Sequence, residues 1–265
     1  MAERPLRILC LGDSLTAGYT QAGLLFHPYH HALVRKLKAA FPDLEVDVVE
    51  DGLSGDVSSH FSARLTAAFR AKKMMRPFDW TIVLGGTNDL CSGASPEQTF
   101  ENLERAWSNG ILRRSKVLAL TVPEMATTSS SPVVASINAR RDRLNALVQG
   151  YTHEDYYSYD FKSAFSYTAM SEEDRKRYWD DTLHFTPAGY DLMGDKIGAA
   201  LVDILHREAD AREQDQLLNN GVEQGRQRLR RKRKFKGDEN SFEEESGSPG
   251  DLRRGYVVVR CKDLD

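Results

Sequence analysis

Short apolar runs alternate along this chain with longer segments in which apolar and polar residues recur at helical spacing. The apolar runs predict five strands: Leu6–Leu11, Leu44–Glu50, Trp80–Leu84, Lys116–Thr121 and Tyr156–Phe161. The amphipathic segments predict five helices: Tyr29–Ala40, Val57–Lys73, Pro96–Leu112, Val134–Gln149 and Pro187–Arg207. Because helices that connect successive strands form right-handed crossovers, this alternation predicts an α/β fold with a parallel sheet.

The segment Gly12–Thr16, Gly-Asp-Ser-Leu-Thr, follows the first predicted strand directly. Open α/β sheets bind their ligands at the carboxyl ends of the strands, so Ser14 is a candidate nucleophile. A serine hydroxyl needs a nearby general base and donors that stabilise the oxyanion. An alternative interpretation is a flavodoxin-like protein that binds a phosphate or nucleotide at Gly12–Gly18, although this loop lacks the Lys-Ser/Thr of a P-loop.

A candidate base lies about 170 residues downstream, where Asp181 and His184 form an Asp-x-x-His pair. Thr186 and Pro187 are typical of the cap and first turn of a helix, so the pair is predicted on a loop before that helix. A carboxylate three residues before the histidine can accept the Nδ1 proton and leave Nε2 free for the serine proton. Asp180 is the rival carboxylate for this orienting role.

Two further segments supply candidate donors for an oxyanion. Gly55 follows the second predicted strand, and a glycine there lets a backbone N–H approach a substrate closely. Asn88 follows the third strand in Gly-Gly-Thr-Asn-Asp, and its side-chain amide is a donor that needs no change of protonation. We expect the Ser14 N–H, the Gly55 N–H and the Asn88 amide to converge on one oxygen.

Four motifs follow one another along the chain, those of Ser14, of Gly55, of Asn88 and of the Asp181–His184 pair. With these motifs in this order, the chain resembles the GDSL-type esterases and lipases of the SGNH hydrolase superfamily over roughly residues 6 to 206. The resemblance implies a three-layer flavodoxin-like fold, with a five-stranded parallel sheet in the order 2-1-3-4-5 and helices on both faces. It implies a triad of Ser14, Asp181 and His184, and an oxyanion hole of Ser14, Gly55 and Asn88. One departure is Thr182, where relatives often carry glycine.

The implied activity is serine hydrolysis of a carboxylic ester or thioester through an acyl-enzyme on Ser14, with no metal or organic cofactor. The sequence leaves the substrate open among lipid esters, sugar esters and small metabolites, because related folds act on all of them. Three segments are expected to wall the substrate pocket: Pro123–Pro132, Lys162–Asp180 and Phe26–Tyr29. The alternative is that these are ordinary surface loops.

Composition bounds the setting of this domain. The chain has 265 residues, a formal net charge of -3 and three cysteines, Cys10, Cys91 and Cys261. This charge gives no sign of nucleic-acid affinity, and the cysteines are too few and scattered for a disulfide framework or a zinc site. No signal peptide or membrane-spanning run is visible, so a cytoplasmic location is the default expectation.

The composition changes near residue 208. We predict a hydrolase domain over residues 1–208 and a charged, mostly disordered tail over residues 209–265, whose sparse apolar residues bury too little surface to offset the ordering entropy. The tail contains a basic cluster, Arg226 to Lys236, which fits an import receptor and nuclear entry, an anionic surface, or a solvated run of charge. A catalytically silent interaction protein that uses this tail is a further alternative.

Overall fold

The computed structural model describes residues 4–71, 76–129 and 131–232. Its contacts divide the chain into two units, residues 1–207 and 208–265. The first unit contains every candidate site residue. Of the second unit, the structure describes residues 208–232, which are helical.

The first unit is built on a five-stranded parallel sheet, whose order confirms the expected 2-1-3-4-5 arrangement. The strands in chain order are β1 (Leu6–Gly12), β4 (Val46–Gly52), β5 (Trp80–Leu84), β6 (Lys116–Leu120) and β7 (Tyr156–Tyr159), and across the sheet they run β4-β1-β5-β6-β7. Two short antiparallel strands, β2 (Tyr19–Thr20) and β3 (Leu25–Phe26), form a separate hairpin around a 3₁₀ turn at Gln21–Gly23.

Helices follow most of the strands. They are α1 (Ser14–Ala17), α2 (His30–Ala40), α3 (Ser58–Arg70), α4 (Thr87–Cys91), α5 (Pro96–Ile111), α6 (Pro132–Gly150), α7 (Phe161–Ala164), α8 (Glu172–Tyr178) and α9 (Pro187–Lys232). Serine caps begin α5, α6 and α8, where the side chains of Ser95, Ser131 and Ser171 accept a backbone N–H of the first turn.

The side chains of β1 alternate between the two faces of the sheet, and each face packs against a layer of helices. Ile8 and Cys10 pack into a core that includes residues of α2 and α9, whereas Leu9 and Leu11 pack into a second core with residues of α3, α5 and α6. All four side chains are fully buried, as expected for a central parallel strand that is covered on both faces. The predicted α/β class with helices on both faces is therefore confirmed.

Most predicted bounds differ from the observed ones by a few residues, and two differences have a clear structural basis or a large extent. Strand β7 ends at Tyr159, because Asp160 caps a short helix and accepts the Ser163 N–H at 3.2 Å. Helix α9 spans Pro187–Lys232 and passes the predicted end at Arg207. Residues 233–265, which include the end of the basic cluster, lie outside the described residues, so the disorder expected there stays a prediction.

Candidate active site

Ser14 lies at the carboxyl end of β1, the strand between β4 and β5. The chain turns there because Asp13 caps α1, with its Oδ1 accepting the Leu15 N–H at 3.0 Å. Gly12 makes this turn possible: a Cβ at that position would stand 2.6 Å from the Leu84 carbonyl oxygen. The local sequence therefore places the Ser14 hydroxyl at the sheet edge, as the strand-to-serine pattern predicts.

Ser14, His184 and Asp181 form one continuous chain of hydrogen bonds. The Ser14 Oγ lies 2.9 Å from His184 Nε2, and His184 Nδ1 lies 2.8 Å from Asp181 Oδ2. A carboxylate is an acceptor only, so Asp181 fixes the imidazole proton on Nδ1. Nε2 is then free to accept the serine proton, which is the arrangement of a nucleophile activated by an oriented base.

The loop from Asp181 to His184 is closed by the Asp181 carboxylate itself. Its Oδ1 accepts the backbone N–H groups of Leu183 and His184, both at 2.7 Å. Burial would raise the pKa of Asp181, but the hydrogen bonds from His184 and from these N–H groups outweigh it and hold the pKa below its usual value. Thr182 has no positive φ, so the loop forms with threonine at the position where relatives often have glycine.

Asp180, the rival carboxylate, has different partners. Its Oδ2 accepts the Thr20 hydroxyl at 3.1 Å and the Gln21 N–H at 2.6 Å. It therefore anchors the β2–β3 hairpin, while its neighbour Asp181 contacts the imidazole. The two adjacent carboxylates are distinguished by their partners, which the sequence alone did not reveal.

The candidate oxyanion donors begin from the ends of three neighbouring strands. Gly12 pairs with Gly52 of β4 and with Leu84 of β5, so the segments that carry Ser14, Gly55 and Asn88 leave the sheet at the same level. Gly55 has a φ of +80°, a left-handed conformation that favours glycine.

The side chain of Asn88 is positioned by its neighbours. Its Nδ2 donates one hydrogen bond to the Asp56 carbonyl oxygen at 2.8 Å, and an amide group has a second hydrogen to donate. Asp89 accepts the Ser58 N–H at 3.0 Å and the Ser58 hydroxyl at 2.6 Å, which ties α4 to the start of α3. Asp89 thus acts as a structural brace for the segment that carries Asn88.

Arg64 is a residue of this edge that the sequence reasoning missed. From α3 its guanidinium donates to the Gly12 carbonyl oxygen at 2.9 Å, to Asp56 Oδ2 at 2.6 Å and to Asp51 Oδ1 at 2.8 Å. It therefore connects the ends of β1 and β4 to the loop of Gly55. A single arginine on an amphipathic helix gives no sequence signal for this role.

Asp13 places a nearly isolated carboxyl group beside Ser14 in the chain. It is 1% exposed, and its Oδ2 has no hydrogen-bond partner among the described residues. Burial raises the pKa of Asp13 to about 6, against the opposing effects of the Leu15 N–H and of His184. Its capping bond to the Leu15 N–H makes Asp13 a structural brace for the turn after β1.

Aromatic side chains contact the loop from Asp181 to His184 and the residues that flank it. The Tyr19 ring lies 4.5 Å from the His184 ring between centroids. Trp179 is buried against Phe165 and Phe185, at ring distances of 5.7 and 4.7 Å. The hairpin and the aromatic cluster thus hold the segment that carries the candidate base.

Two of the segments predicted to wall a pocket contact the region of the site. The Ala126 N–H donates to the Thr182 carbonyl oxygen at 2.9 Å, and Glu124 accepts the Thr168 N–H at 3.1 Å. Pro123–Pro132 therefore contacts the loop from Asp181 to His184 and the segment that precedes α8. The role of these segments in binding substrate stays a prediction.

Among the described residues, no group of three or more His, Cys, Asp or Glu side chains is arranged to hold a metal ion. Within the same residues, no helix has the length and apolar character needed to cross a membrane. Cys10 lies in β1 and is fully buried, and burial raises the pKa of its thiol to about 12.

Comparisons with known proteins agree with this geometry. The model of the GDSL-like Lipase/Acylhydrolase family matches residues 10–192. A search of curated proteins gave no significant match.

Solved structures share the fold at low sequence identity. Axe2, an acetylxylan esterase from Geobacillus stearothermophilus, is 18% identical with a TM-score of 0.54, over 72% of this chain and 91% of that one. Est24, a carbohydrate acetylesterase from Sinorhizobium meliloti, is 18% identical with a TM-score of 0.54, over 75% and 99% of the two chains. LAE5, an alpha/beta hydrolase enzyme from the metagenome of Lake Arreo, is 19% identical with a TM-score of 0.56, over 73% and 94%.

Proposed function

Because the chain belongs to the GDSL-like lipase/acylhydrolase family, we propose that it hydrolyses carboxylic esters or thioesters through an acyl-enzyme on Ser14. The observation that supports this mechanism is the unbroken chain from the Ser14 Oγ through His184 to the Asp181 carboxylate, with contacts of 2.9 and 2.8 Å. Each atom in it has the donor or acceptor character that general-base catalysis requires.

In the acylation half-reaction, the Ser14 Oγ attacks the acyl carbon while His184 Nε2 takes the hydroxyl proton. The carbonyl π electrons move onto oxygen, and the Ser14 N–H, the Gly55 N–H and the Asn88 amide donate to that oxyanion. When the tetrahedral intermediate collapses, the bond to the leaving alcohol or thiol breaks, and His184 returns the proton to it. Asp181 stabilises the imidazolium throughout and does not itself take the proton.

Deacylation repeats these steps with water as the nucleophile. His184 Nε2 takes a proton from the water, whose oxygen attacks the acyl carbon of the Ser14 ester. The oxyanion returns to the same donors, and collapse releases the carboxylic acid and restores the Ser14 hydroxyl with the proton from His184. In the overall reaction, one ester and one water molecule give one carboxylic acid and one alcohol, or one thiol from a thioester.

The alternatives from the sequence have less support. Asp13 caps α1 with its own carboxylate and lies in the loop where a phosphate would bind, so its charge opposes an anionic ligand. A catalytically silent protein has no need for a histidine aligned on a serine from 170 residues away.

A fluorophosphonate probe tests the proposed nucleophile. Wild-type protein is expected to be labelled, because such probes react with an activated serine, whereas Ser14→Ala and His184→Ala proteins are expected to remain unlabelled. His206→Ala is the matched control, since His206 is an exposed histidine that stacks on Phe41 away from Ser14. Labelling of folded Ser14→Ala protein, or none of the wild type, would contradict the assignment.

The oxyanion donors have a separate test. Asn88→Ala is expected to lower kcat for an ester that the wild type hydrolyses by on the order of 10²–10³, with a smaller effect on KM. Unchanged kcat in a correctly folded Asn88→Ala protein would remove the amide from the proposed mechanism.

We further propose that the tail after residue 208 determines where the protein is located in the cell and takes no part in catalysis. The basic cluster Arg226 to Lys236 either directs import into the nucleus or leaves the protein in the cytoplasm. A fluorescent fusion of the full chain, compared with one in which residues 230–234 are neutral, measures this directly. Equal nuclear fractions of the two fusions would argue against an import signal.

A further inference from the structure

The β2–β3 hairpin, residues 19–26, presents an exposed apolar surface beside the candidate base. Leu24, Leu25 and Phe26 are 88%, 40% and 51% exposed. A fourth exposed apolar side chain, Leu53, belongs to the loop of Gly55. Leu24, Leu25 and Phe26 are consecutive in the sequence, and Phe26 pairs with Tyr19 across the hairpin. Exposed apolar side chains concentrated in this way beside a candidate active site indicate a binding surface.

The same segment is free of charge. From Ser14 to Val34 the chain has no Asp, Glu, Lys or Arg, whereas 28% of the whole chain is charged. Part of this stretch is buried, and the residues of the hairpin that are exposed, Gln21, Ala22, Leu24, Leu25 and Phe26, are all uncharged. The composition therefore favours an apolar ligand over a polar or ionic one.

The hairpin is held against the segment from Asp180 to His184, and its backbone conformation is strained. Gln21 and Ala22 have φ values of 51° and 53°, which are unfavourable for residues with a Cβ. Asp180 stabilises this turn by accepting the Gln21 N–H, and Tyr190 holds Tyr19 by donating its hydroxyl to the Tyr19 carbonyl oxygen at 2.8 Å. Backbone strain that the surroundings maintain is typical of functional segments.

The aromatic rings of this hairpin form a row that ends beside the His184 imidazole. The Tyr19 ring lies 4.5 Å from the His184 ring and 5.9 Å from the Phe26 ring between centroids. In acyl transfer the imidazole must reach the leaving oxygen to protonate it, so the leaving group lies on the His184 side of the acyl carbon. The candidate oxyanion donors start instead from the ends of β1, β4 and β5.

We propose that the β2–β3 hairpin binds the alcohol portion of the substrate and that this portion is an apolar alkyl or aryl group. The inference rests on the proposed ester hydrolysis and adds the class of leaving group. Leu24, Leu25 and Phe26 provide apolar contact and no side-chain hydrogen-bond partner, so the hydroxyl groups of a sugar would lose water there without compensation. The substrate class is therefore esters of hydrophobic alcohols.

Two ester series separate the alcohol side from the acyl side. The first contains ethyl, butyl and hexyl acetate, and the second contains ethyl acetate, butyrate and hexanoate, all below their solubility limits. For the wild type, kcat/KM is expected to rise about two- to fourfold for each methylene added to the alcohol. The double variant Leu24→Ser/Leu25→Ser is expected to flatten the alcohol series and to leave the slope of the acyl series unchanged.

Leu112→Ser provides the matched control, because Leu112 is an exposed leucine at the end of α5, outside the hairpin. It is expected to keep both slopes of the wild type. Phe26→Ser is a second variant, expected to flatten the alcohol series further, because Phe26 lies beside the Tyr19 ring.

An unchanged alcohol slope in both hairpin variants, or a flattened acyl slope instead, would overturn the inference. Hydrolysis of both series by the wild type without dependence on alcohol length would also overturn it, yet leave the proposed esterase function standing. Absence of hydrolysis together with absence of fluorophosphonate labelling would overturn both. The labelling result thus distinguishes the two failures.

Discussion

The buried carboxyl group of Asp13 predicts a pH-dependent loss of stability in the range where most proteins are most stable. One oxygen accepts the Leu15 N–H at 3.0 Å, and the other has no partner among the described residues. Ionising this group inside the protein is costly, because a single backbone N–H replaces the water that an exposed carboxylate would have. Burial accordingly raises the pKa of Asp13 to about 6, from the ordinary value of 3.8.

The size of the effect follows from linkage. Between pH 3.8 and about 6 the folded protein holds a proton on Asp13 that the unfolded chain has already released. Stability therefore falls as the pH rises through this window and is constant on either side of it, as far as this group is concerned. A shift of about two units, at about 1.4 kcal/mol for each, corresponds to about 3 kcal/mol of unfolding free energy.

Urea unfolding of the wild type and of Asp13→Asn, measured from pH 4 to pH 8, tests this reasoning. Asparagine cannot ionise, so the stability of the Asp13→Asn protein relative to the wild type is expected to improve by about 2 kcal/mol between pH 4 and pH 8, since part of the effect lies below pH 4. The change with pH is the relevant quantity, because the packing effect of the new amide is the same at every pH.

Asp43→Asn is the control for this experiment, since Asp43 is exposed and its substitution is expected to give a curve parallel to that of the wild type. Parallel curves for Asp13→Asn would refute the argument and would mean that Asp13 stays ionised in the folded protein with a partner that the geometry does not reveal.

Three further predictions concern the positioning of the site. Asp181→Asn is expected to lower kcat by on the order of 10⁴, because an amide can donate to Nδ1 and so favour the tautomer with its proton on Nε2. Gly55→Ala is expected to lower the unfolding free energy by about 1 kcal/mol in urea, since a Cβ would meet nothing within 4 Å but the φ of +80° disfavours one. Arg64→Met is expected to lower it by about 3 kcal/mol in the same assay, because Asp56 would lose its buried partner.

Each of these has a clear contrary outcome. Asp181→Asn protein with wild-type kcat would show that the carboxylate does not set the tautomer. Full stability of Gly55→Ala would mean that the loop has a second conformation open to alanine. An Arg64→Met protein as stable as the wild type would mean that the contact of His60 Nδ1 with Asp56 Oδ1, at 2.6 Å, is enough to stabilise that carboxylate.

The centre of the sheet could be predicted from the sequence because β1, β5 and β6 are mostly apolar and buried on both faces. Trp80–Leu84 is fully buried and is apolar except for Thr81, and its predicted bounds match the strand. The contacts of the candidate triad could be predicted for a different reason: Ser14, Asp181 and His184 lie in short motifs whose spacing reflects local geometry. The Asp-x-x-His spacing is what allows Asp181 to bond both the His184 ring and its backbone N–H.

The β2–β3 hairpin could not be predicted in the same way. Its strands have two residues each, too few to show a period. Its turn has positive φ at Gly23 and also at Gln21 and Ala22, two residues whose side chains do not signal such a conformation. Its conformation depends on Asp180, which is distant in sequence. Likewise, nothing within α3 marks Arg64, whose role arises from carbonyl groups at the ends of other segments.

Ser14 and His184 are carried by parts of the fold that we expect to differ in thermal resistance. Ser14 is continuous with the fully buried central strand, whereas His184 is carried by a loop whose support is the aromatic cluster around Trp179. Heating is expected to release that loop before the sheet melts, since local openings cost less free energy than global unfolding. The activity of this protein would then be lost below its melting temperature, and a shift in Trp179 emission would report the loss as it occurs.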